Sequence, residues 1–261
     1  MTIWNVSPEI LQWGPLRVRW YGIFFALSFI LGFEVIKSFF KAEKVTATHL
    51  DRLLIYMLFG TVIGARLGHV LFYEPMNYLS QPLNILKVWE GGLASHGAAI
   101  GILLSLYLFS KKYKLGYLWL TDRICIAVAL AGGLIRLGNL FNSEIIGKPT
   151  SVPWAFVFSR VDMLPRHPTQ IYESLTYFGV FGLLYWLYHR DTIRQRSGFL
   201  FGLFLVLVFS ARLLIEFLKE NQVSFESELP MDLGQLLSVP LILMGIVLLI
   251  RSRNSAPQGL R

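Results

Sequence analysis

The chain has 261 residues, a formal net charge of +8, and 54% hydrophobic against 15% charged residues, with a mean hydropathy of +0.55. Soluble domains carry roughly a quarter of their residues as charges, so this balance excludes an ordinary water-soluble domain. The single cysteine, Cys125, excludes an internal disulfide and any cysteine metal cluster.

Seven apolar stretches are long enough to cross a bilayer, near residues 20–36, 53–72, 93–110, 119–137, 170–188, 199–218 and 233–250. No small-residue cleavage site follows the first, so nothing reads as a cleavable signal peptide. Fourteen Lys and Arg fall in the segments after spans one, three, five and seven, against seven in the opposite segments. The positive-inside rule then puts the N-terminus outside and the C-terminus in the cytoplasm. The last outer loop, with Glu220, Glu226, Glu228 and Asp232, carries little orienting weight. Linkers are short and free of repeats. The expectation is an all-α, polytopic integral membrane protein of about seven transmembrane helices. Residues 1–261 form one transmembrane domain in this reading, with 147–169 a small extracytoplasmic cap that includes a short strand at 152–158. Residues 76–89 space Leu79, Leu83, Leu86 and Trp89 as an interfacial amphipathic helix does.

Three arginines, Arg66, Arg136 and Arg212, remain inside spans, all in the outer half. Intramembrane ionisable groups are costly and default to function; the alternative is snorkelling, which competes best at Arg136, near its span's end. Arg212 precedes Glu216 by one helical turn, which suits a structural ion pair as well as a site. Arg66 shares a face with His69 and Tyr73, while Gly60, Gly64 and Gly68 form a stripe suited to close helix packing. Further polar residues collect at the same level. Tyr21 opens span one, His96 opens span three, Asn139, Asn142 and Glu144 close span four, and His167, Gln170, Tyr172 and Glu173 open span five. Tyr21 also reads as an aromatic anchor, and His167 with Pro168 as a helix start. Gln170 and Glu173, inside an apolar helix, need partners. Glu34 and Asp122 lie at inner ends, where solvation is their expected role, and Cys125 reads as a packing residue.

Metal ligation has little support, because no HExxH or His/Cys pair at ligand spacing occurs. A serine triad is equally weak: no GxSxG occurs, and Ser95 cannot reach its helix neighbour His96. The remaining pattern is a guanidinium-rich, histidine-containing pocket at the outer leaflet. Arginine forks suit phosphate oxygens, and a pocket opening between spans would receive a phospholipid headgroup. Nothing calls for a cofactor, a metal or nucleic acid.

Four motifs carry a family resemblance: Arg19-Trp20-Tyr21-Gly22; Glu90-Gly91-Gly92 running on to His96-Gly97; Arg136-x-Gly138-Asn139-x-x-Asn142-x-Glu144-x-x-Gly147; and His167-Pro168-Thr169-Gln170-Ile171-Tyr172-Glu173. With Arg212 and Glu216, these make the chain resemble bacterial prolipoprotein diacylglyceryl transferases along essentially its whole length. It departs from the family pattern at Ile135 and Ala98, where glycine is usual. The resemblance implies a seven-helix enzyme of the bacterial cytoplasmic (inner) membrane. It would move the diacylglyceryl group of phosphatidylglycerol to the lipobox cysteine thiol of a prolipoprotein, forming a thioether and releasing glycerol phosphate. It also implies His96 as base, Arg136 and Arg212 as phosphate ligands, and Asn139 and Asn142 orienting Arg136 or the headgroup. Glu144, Glu173 and Glu216 would fix the arginines or polar backbone, and Tyr21 and Tyr172 would line the lipid entrance. Arg66, Gly147, His167 and Gln170 join the expected substrate-binding set. The rival reading is a lipid or organic-anion transporter with an arginine-lined site. Such proteins show repeated halves and broken helices, neither of which this sequence has. An intramembrane hydrolase would need its own serine nucleophile or metal.

Overall fold

The computed structural model describes residues 1–14, 16–88, 91–220 and 233–253. Trp89, Glu90, Glu226, Glu228, Asp232 and Arg261 lie outside the described residues. Among the described residues, five helices are long and apolar enough to cross a membrane: α1 (Trp20–Ala42), α2 (Ala47–Phe72), α5 (Tyr117–Asn142), α8 (Phe199–Glu216) and α9 (Leu233–Arg253). This is a mostly helical, multi-pass membrane protein. Two more helices, α4 (Ser95–Tyr113) and α6 (Thr169–Tyr188), lie at the positions of the other two expected apolar stretches but are not apolar enough to join these five. At ~1.5 Å per residue they approach bilayer thickness, but polar residues at their ends dilute their apolar content: His96, Lys111 and Lys112 in α4, and Gln170, Glu173 and Ser174 in α6.

Shorter pieces connect these. Instead of one interfacial helix over 76–89, α3 (Pro75–Ser80) is followed by a separate 3-10 turn, Pro82–Leu86. Pro82 lacks an N–H and disfavours helical backbone at Gln81, so the helix stops there. Met76, Leu79, Leu83 and Leu86 nonetheless stay exposed along this stretch. A one-turn helix, α7 (Asp191–Arg194), leads into α8. Among the described residues, five strands also form: β1 (Thr2–Trp4), β2 (Glu9–Trp13), β3 (Leu16–Arg19), β4 (Phe156–Phe158) and β5 (Pro165–Arg166). β4 falls within the expected 152–158 strand. β2 and β3 pair as an antiparallel hairpin, and β1 pairs in parallel with β4, which pairs antiparallel with β5.

The chain divides into two compact units, Ile36–Thr121 and Met1–Val35 with Asp122–Arg261. In the first, α2 and α4 meet backbone to backbone. A Cβ on Gly64 would strike the Gly97 carbonyl oxygen and the Gly101 Cα, and one on Gly68 would lie 2.7 Å from the Gly97 Cα. The small-residue stripe of α2 therefore has its partner in Gly97 and Gly101. Phe39, Phe40, Leu53, Leu106, Phe109 and Leu120 fill this unit's core.

In the second unit, Gly132 and Gly133 of α5 lie under the rings of Tyr177 and Phe178 of α6, and Gly202 of α8 lies against Gly245 of α9. Asp122 is buried, and its carboxylate accepts hydrogen bonds from the Gly198 and Phe201 backbone N–H groups at 2.7 and 2.8 Å. The expectation that Asp122 merely solvates an inner helix end is thus corrected: it caps α8, satisfying donors that the first turn of any helix leaves unpaired. Cys125 is buried, its thiol 3.3 Å from the Asp122 carbonyl oxygen, in keeping with a packing role.

Substituting Gly64 by leucine is expected to separate α2 from α4 and cost about 2–4 kcal/mol, the upper range for overpacking. Gly182→Ala, where a Cβ meets nothing within 4 Å, is expected to be neutral or stabilising by up to ~1 kcal/mol. Thermal unfolding in detergent compares the two.

Candidate active site

The C-terminal end of α5 supplies the first polar set. Arg136 donates from Nη1 to Asn139 Oδ1 at 3.2 Å, and Asn139 Nδ2 donates to Glu144 Oε2 at 3.3 Å. Asn142 Nδ2 donates to the other oxygen of Glu144 at 3.1 Å. Glu144 can accept both because the backbone turns sharply around it, with Ser143 and Ile145 each at φ +55°. A β-branched residue in the left-handed region is strained and persists only where its surroundings hold it. Here α6 does so: Gln170 Nε2 donates to the Glu144 carbonyl at 2.6 Å and Thr169 Oγ1 to the Ile145 carbonyl at 2.8 Å. The buried Gln170 thus finds the partner its apolar helix requires. Tyr21 packs on this end of α5, its ring lying where a Cβ on Gly138 would fall.

A chain of ionised groups runs inward from Arg136. Its Nε lies 2.9 Å from Glu173 Oε2, and Glu173 Oε1 lies 2.8 Å from the ammonium of Lys219. Lys219 also donates to Glu216 Oε2 at 3.0 Å, and Glu216 Oε2 lies 3.9 Å from Arg212 Nε. Glu173, Lys219 and Glu216 are buried, and the arginines end the chain. The expected Arg212–Glu216 pair is present, but Glu216 makes its closer contact with Lys219. Gly234 leaves room for this carboxylate, since a Cβ there would meet it at 2.6 Å. Arg212 and Glu173 both line a cleft between α6 and α8.

Backbone ladders fix Lys219 in turn. Residues 146–148 run between two other segments: Gly147 N–H donates to the His167 carbonyl, Lys148 N–H to the Leu218 carbonyl, and Glu220 N–H to the Ile146 carbonyl. Gly147 permits this, because a Cβ would lie 2.6 Å from His167 Cβ and 2.9 Å from the Leu218 oxygen. Its contribution to a site is close backbone approach. Beside it, the buried Arg166 guanidinium donates to Asp162, Glu220 and the Gly147 carbonyl. The hydroxyl of Tyr172 accepts from Trp154 Nε1 at 2.8 Å and lies 3.2 Å from His167 Nδ1.

Arg66 and His96 belong to the other compact unit. Arg66 is buried and spent on backbone, donating to the carbonyls of Asn84, Ile85, Gly91 and Gly92 while its guanidinium lies over the Tyr78 ring. That pattern ties down the loop between α3 and α4. His69 stacks on Tyr73 and lies 3.7 Å from Glu74. The His96 ring packs against Phe72 and Tyr73, with centroids 5.3 and 5.8 Å away. Among the described residues, no group of three or more His, Cys, Asp or Glu side chains could hold a metal ion.

The model of one protein family, prolipoprotein diacylglyceryl transferase, matches residues 8–251. The chain belongs to the prolipoprotein diacylglyceryl transferase family. Its relatives include a phosphatidylglycerol–prolipoprotein diacylglyceryl transferase of Chloroherpeton thalassium, 49% identical over 97% of this chain and 95% of the relative. A protein of the same name from Tolumonas auensis is 50% identical, over 97% and 98%. One from Gluconobacter oxydans is 40% identical, over 97% and 95%.

Polar participants of this family member absent from the residues expected above include Lys219 and Arg166, each only one of the seven basic residues of the outer segments there, and Trp154. Lys219 had a signal, since Arg212, Glu216 and Lys219 fall at i, i+4 and i+7 on one helical face. Trp154 had none.

The Arg166 hydrogen bond holds the Asp162 carboxyl below the usual carboxylate range. A carboxylate with a depressed folded-state pKa contributes stability that is complete above its unfolded pKa, near ~3.9, and is lost as pH falls through the folded value. Asp162→Asn is expected to lower the thermal midpoint at pH 7 while narrowing its drop between pH 5 and pH 2, as read by parallel melts.

Proposed function

We propose that this chain transfers the diacylglyceryl group of phosphatidylglycerol to the lipobox cysteine thiol of prolipoproteins, forming a thioether and releasing glycerol phosphate. The observation that carries this reading is the paired arginines, Arg136 and Arg212, at the two ends of one buried ion chain in a member of this family. Seven spans, the N-terminus outside, the C-terminus in the cytoplasm and residues 147–169 as an extracytoplasmic cap complete the proposal. The enzyme would then work in the bacterial inner membrane, as one transmembrane domain with its active site toward the outer leaflet.

The chemistry forms a sulfur–carbon bond at the glyceryl carbon and breaks that carbon's bond to the phosphate oxygen, which leaves with the electron pair. A free thiol has a pKa near ~8.5, so little thiolate is present at neutral pH. In this proposal His96 receives the thiol proton. Arg136 and Arg212 bind the phosphate, and their N–H donors meet the charge that grows on its oxygens as the bond breaks. Asn139 accepts from Nη1 of the Arg136 guanidinium and Glu173 forms an ion pair with it at Nε, and Nη2, which makes no hydrogen bond among the described residues, is left for phosphate. Asn142 and Gln170 act on Glu144, the first at its side chain and the second at its backbone. Tyr21, Tyr172 and His167 line the lipid entrance, and Gly147 and Arg66 act through backbone, each within its own compact unit.

The test is transfer by purified protein in phosphatidylglycerol micelles, following the mass of a lipobox peptide and the glycerol phosphate released. Stoichiometric formation of both is expected. Arg136→Ala should lower kcat roughly 100- to 1,000-fold, the effect of removing a preorganised oxyanion donor. His96→Ala should lose at least about 100-fold at pH 7 and recover as pH approaches the thiol pKa. Unmodified peptide with folded protein would sink the proposal.

A further inference from the structure

Lys219 carries a charge with almost no access to solvent, its side chain 2% exposed, yet it touches two carboxylates on different helices, Glu173 of α6 and Glu216 of α8. The two arginines paired with the same carboxylates are more open, at 13% for Arg136 and 28% for Arg212. Lys219 is therefore the inner cation, shielded from any ligand, and the arginines are the outer ones. Two buried carboxylates cannot be left without a counter-ion, because an unpaired buried charge is strongly destabilising. With Lys219 removed, the cations remaining in contact with them among the described residues are Arg136 and Arg212. Arg212 has room to respond: among the described residues its N–H groups make no hydrogen bond, and its Nε stands 3.9 Å from Glu216.

We propose that Lys219 is a positioning residue that satisfies the inner sides of Glu173 and Glu216 and so keeps Arg136 and Arg212 available for the phosphate of an anionic lipid. Without it, both guanidinium groups are drawn inward onto the carboxylates and the phosphate loses its donors. The identity of the lipid rests on the transferase reading; the charge argument does not. Charge at position 219 is what matters, so arginine should replace the lysine and an uncharged side chain should not.

The test titrates phosphatidylglycerol into detergent-solubilised protein, with phosphatidylcholine as the zwitterionic control, and follows glycerol phosphate release separately. Lys219→Gln is expected to weaken phosphatidylglycerol binding about tenfold or more, as loss of one partner from a buried charge pair does, with little change for phosphatidylcholine. KM should rise together with a fall in kcat, and Lys219→Arg should restore the preference for the anionic lipid. Thermal unfolding identifies variants that remain folded; Lys219→Met replaces Lys219→Gln if the latter does not. A folded, uncharged variant that keeps the wild-type lipid preference overturns the proposal, as does a Lys219→Arg variant no better than Lys219→Gln. If the wild type releases no glycerol phosphate while the binding differences persist, the transferase reading fails and the role of Lys219 stands.

Discussion

Alternation of charge is the constraint on which the candidate site depends. Arg136, Glu173, Lys219, Glu216 and Arg212 follow one another in sign as well as in space, so each buried group meets an opposite charge. Moving a lone ion out of water costs several kcal/mol even after relaxation. The sequence of signs lets three helical regions, the end of α5, the start of α6 and the end of α8, share the cost. Each carboxylate has two cations and Lys219 has two carboxylates, so removing one member forces its neighbours onto the partners that remain, which makes the arrangement cooperative. It also spaces the two arginines apart: they repel each other, and the carboxylates between them hold that repulsion in check.

Hydrogen bonds to side chains and backbone hold the rest of the site rigid around this chain. The strained turn at Ser143 and Ile145 aims the Glu144 side chain back at Asn139 and Asn142, and Gln170 and Thr169 of α6 hold its carbonyls. The ladder through residues 146–148 then carries the same geometry to Leu218 and Glu220. The spacing of the signature becomes physically intelligible here. Arg136 and Asn139 share a helical face, Glu144 lies beyond the turn, and Gly147 sits where two backbones leave no room for a side chain.

Much of this was legible in sequence, and the exceptions share a cause. Apolar length exposes spanning helices directly, and Arg66, Arg136 and Arg212 stand out because charge is rare in such segments. The glycines of α2 predicted close packing, and α4 answered with Gly97 and Gly101. Partners were harder to foresee. Arg66 reads in sequence as an intramembrane cation in search of a ligand, but its donors go to four backbone carbonyls, which no side-chain pattern announces. Lys219 counted as a loop charge because the apolar window ends just before it. Strands β1, β2 and β3 are three to five residues long, too short for alternation to register, and Asp122 hid its capping role because its partners lie 76 and 79 residues onward.

The Asp122 cap has a consequence for α8 as a mechanical part. One end of the helix is pinned by that carboxylate at Gly198 and Phe201, and the chain just past the other end is laced to residues 146 and 148. Both anchors lie within one compact unit, so α8 works as a ruler of set length and phase. At 3.6 residues per turn, losing a single residue between the anchors would rotate Arg212 by about 100° and shorten the strut by ~1.5 Å. Side chains along α8 have latitude to vary; the number of residues in it does not.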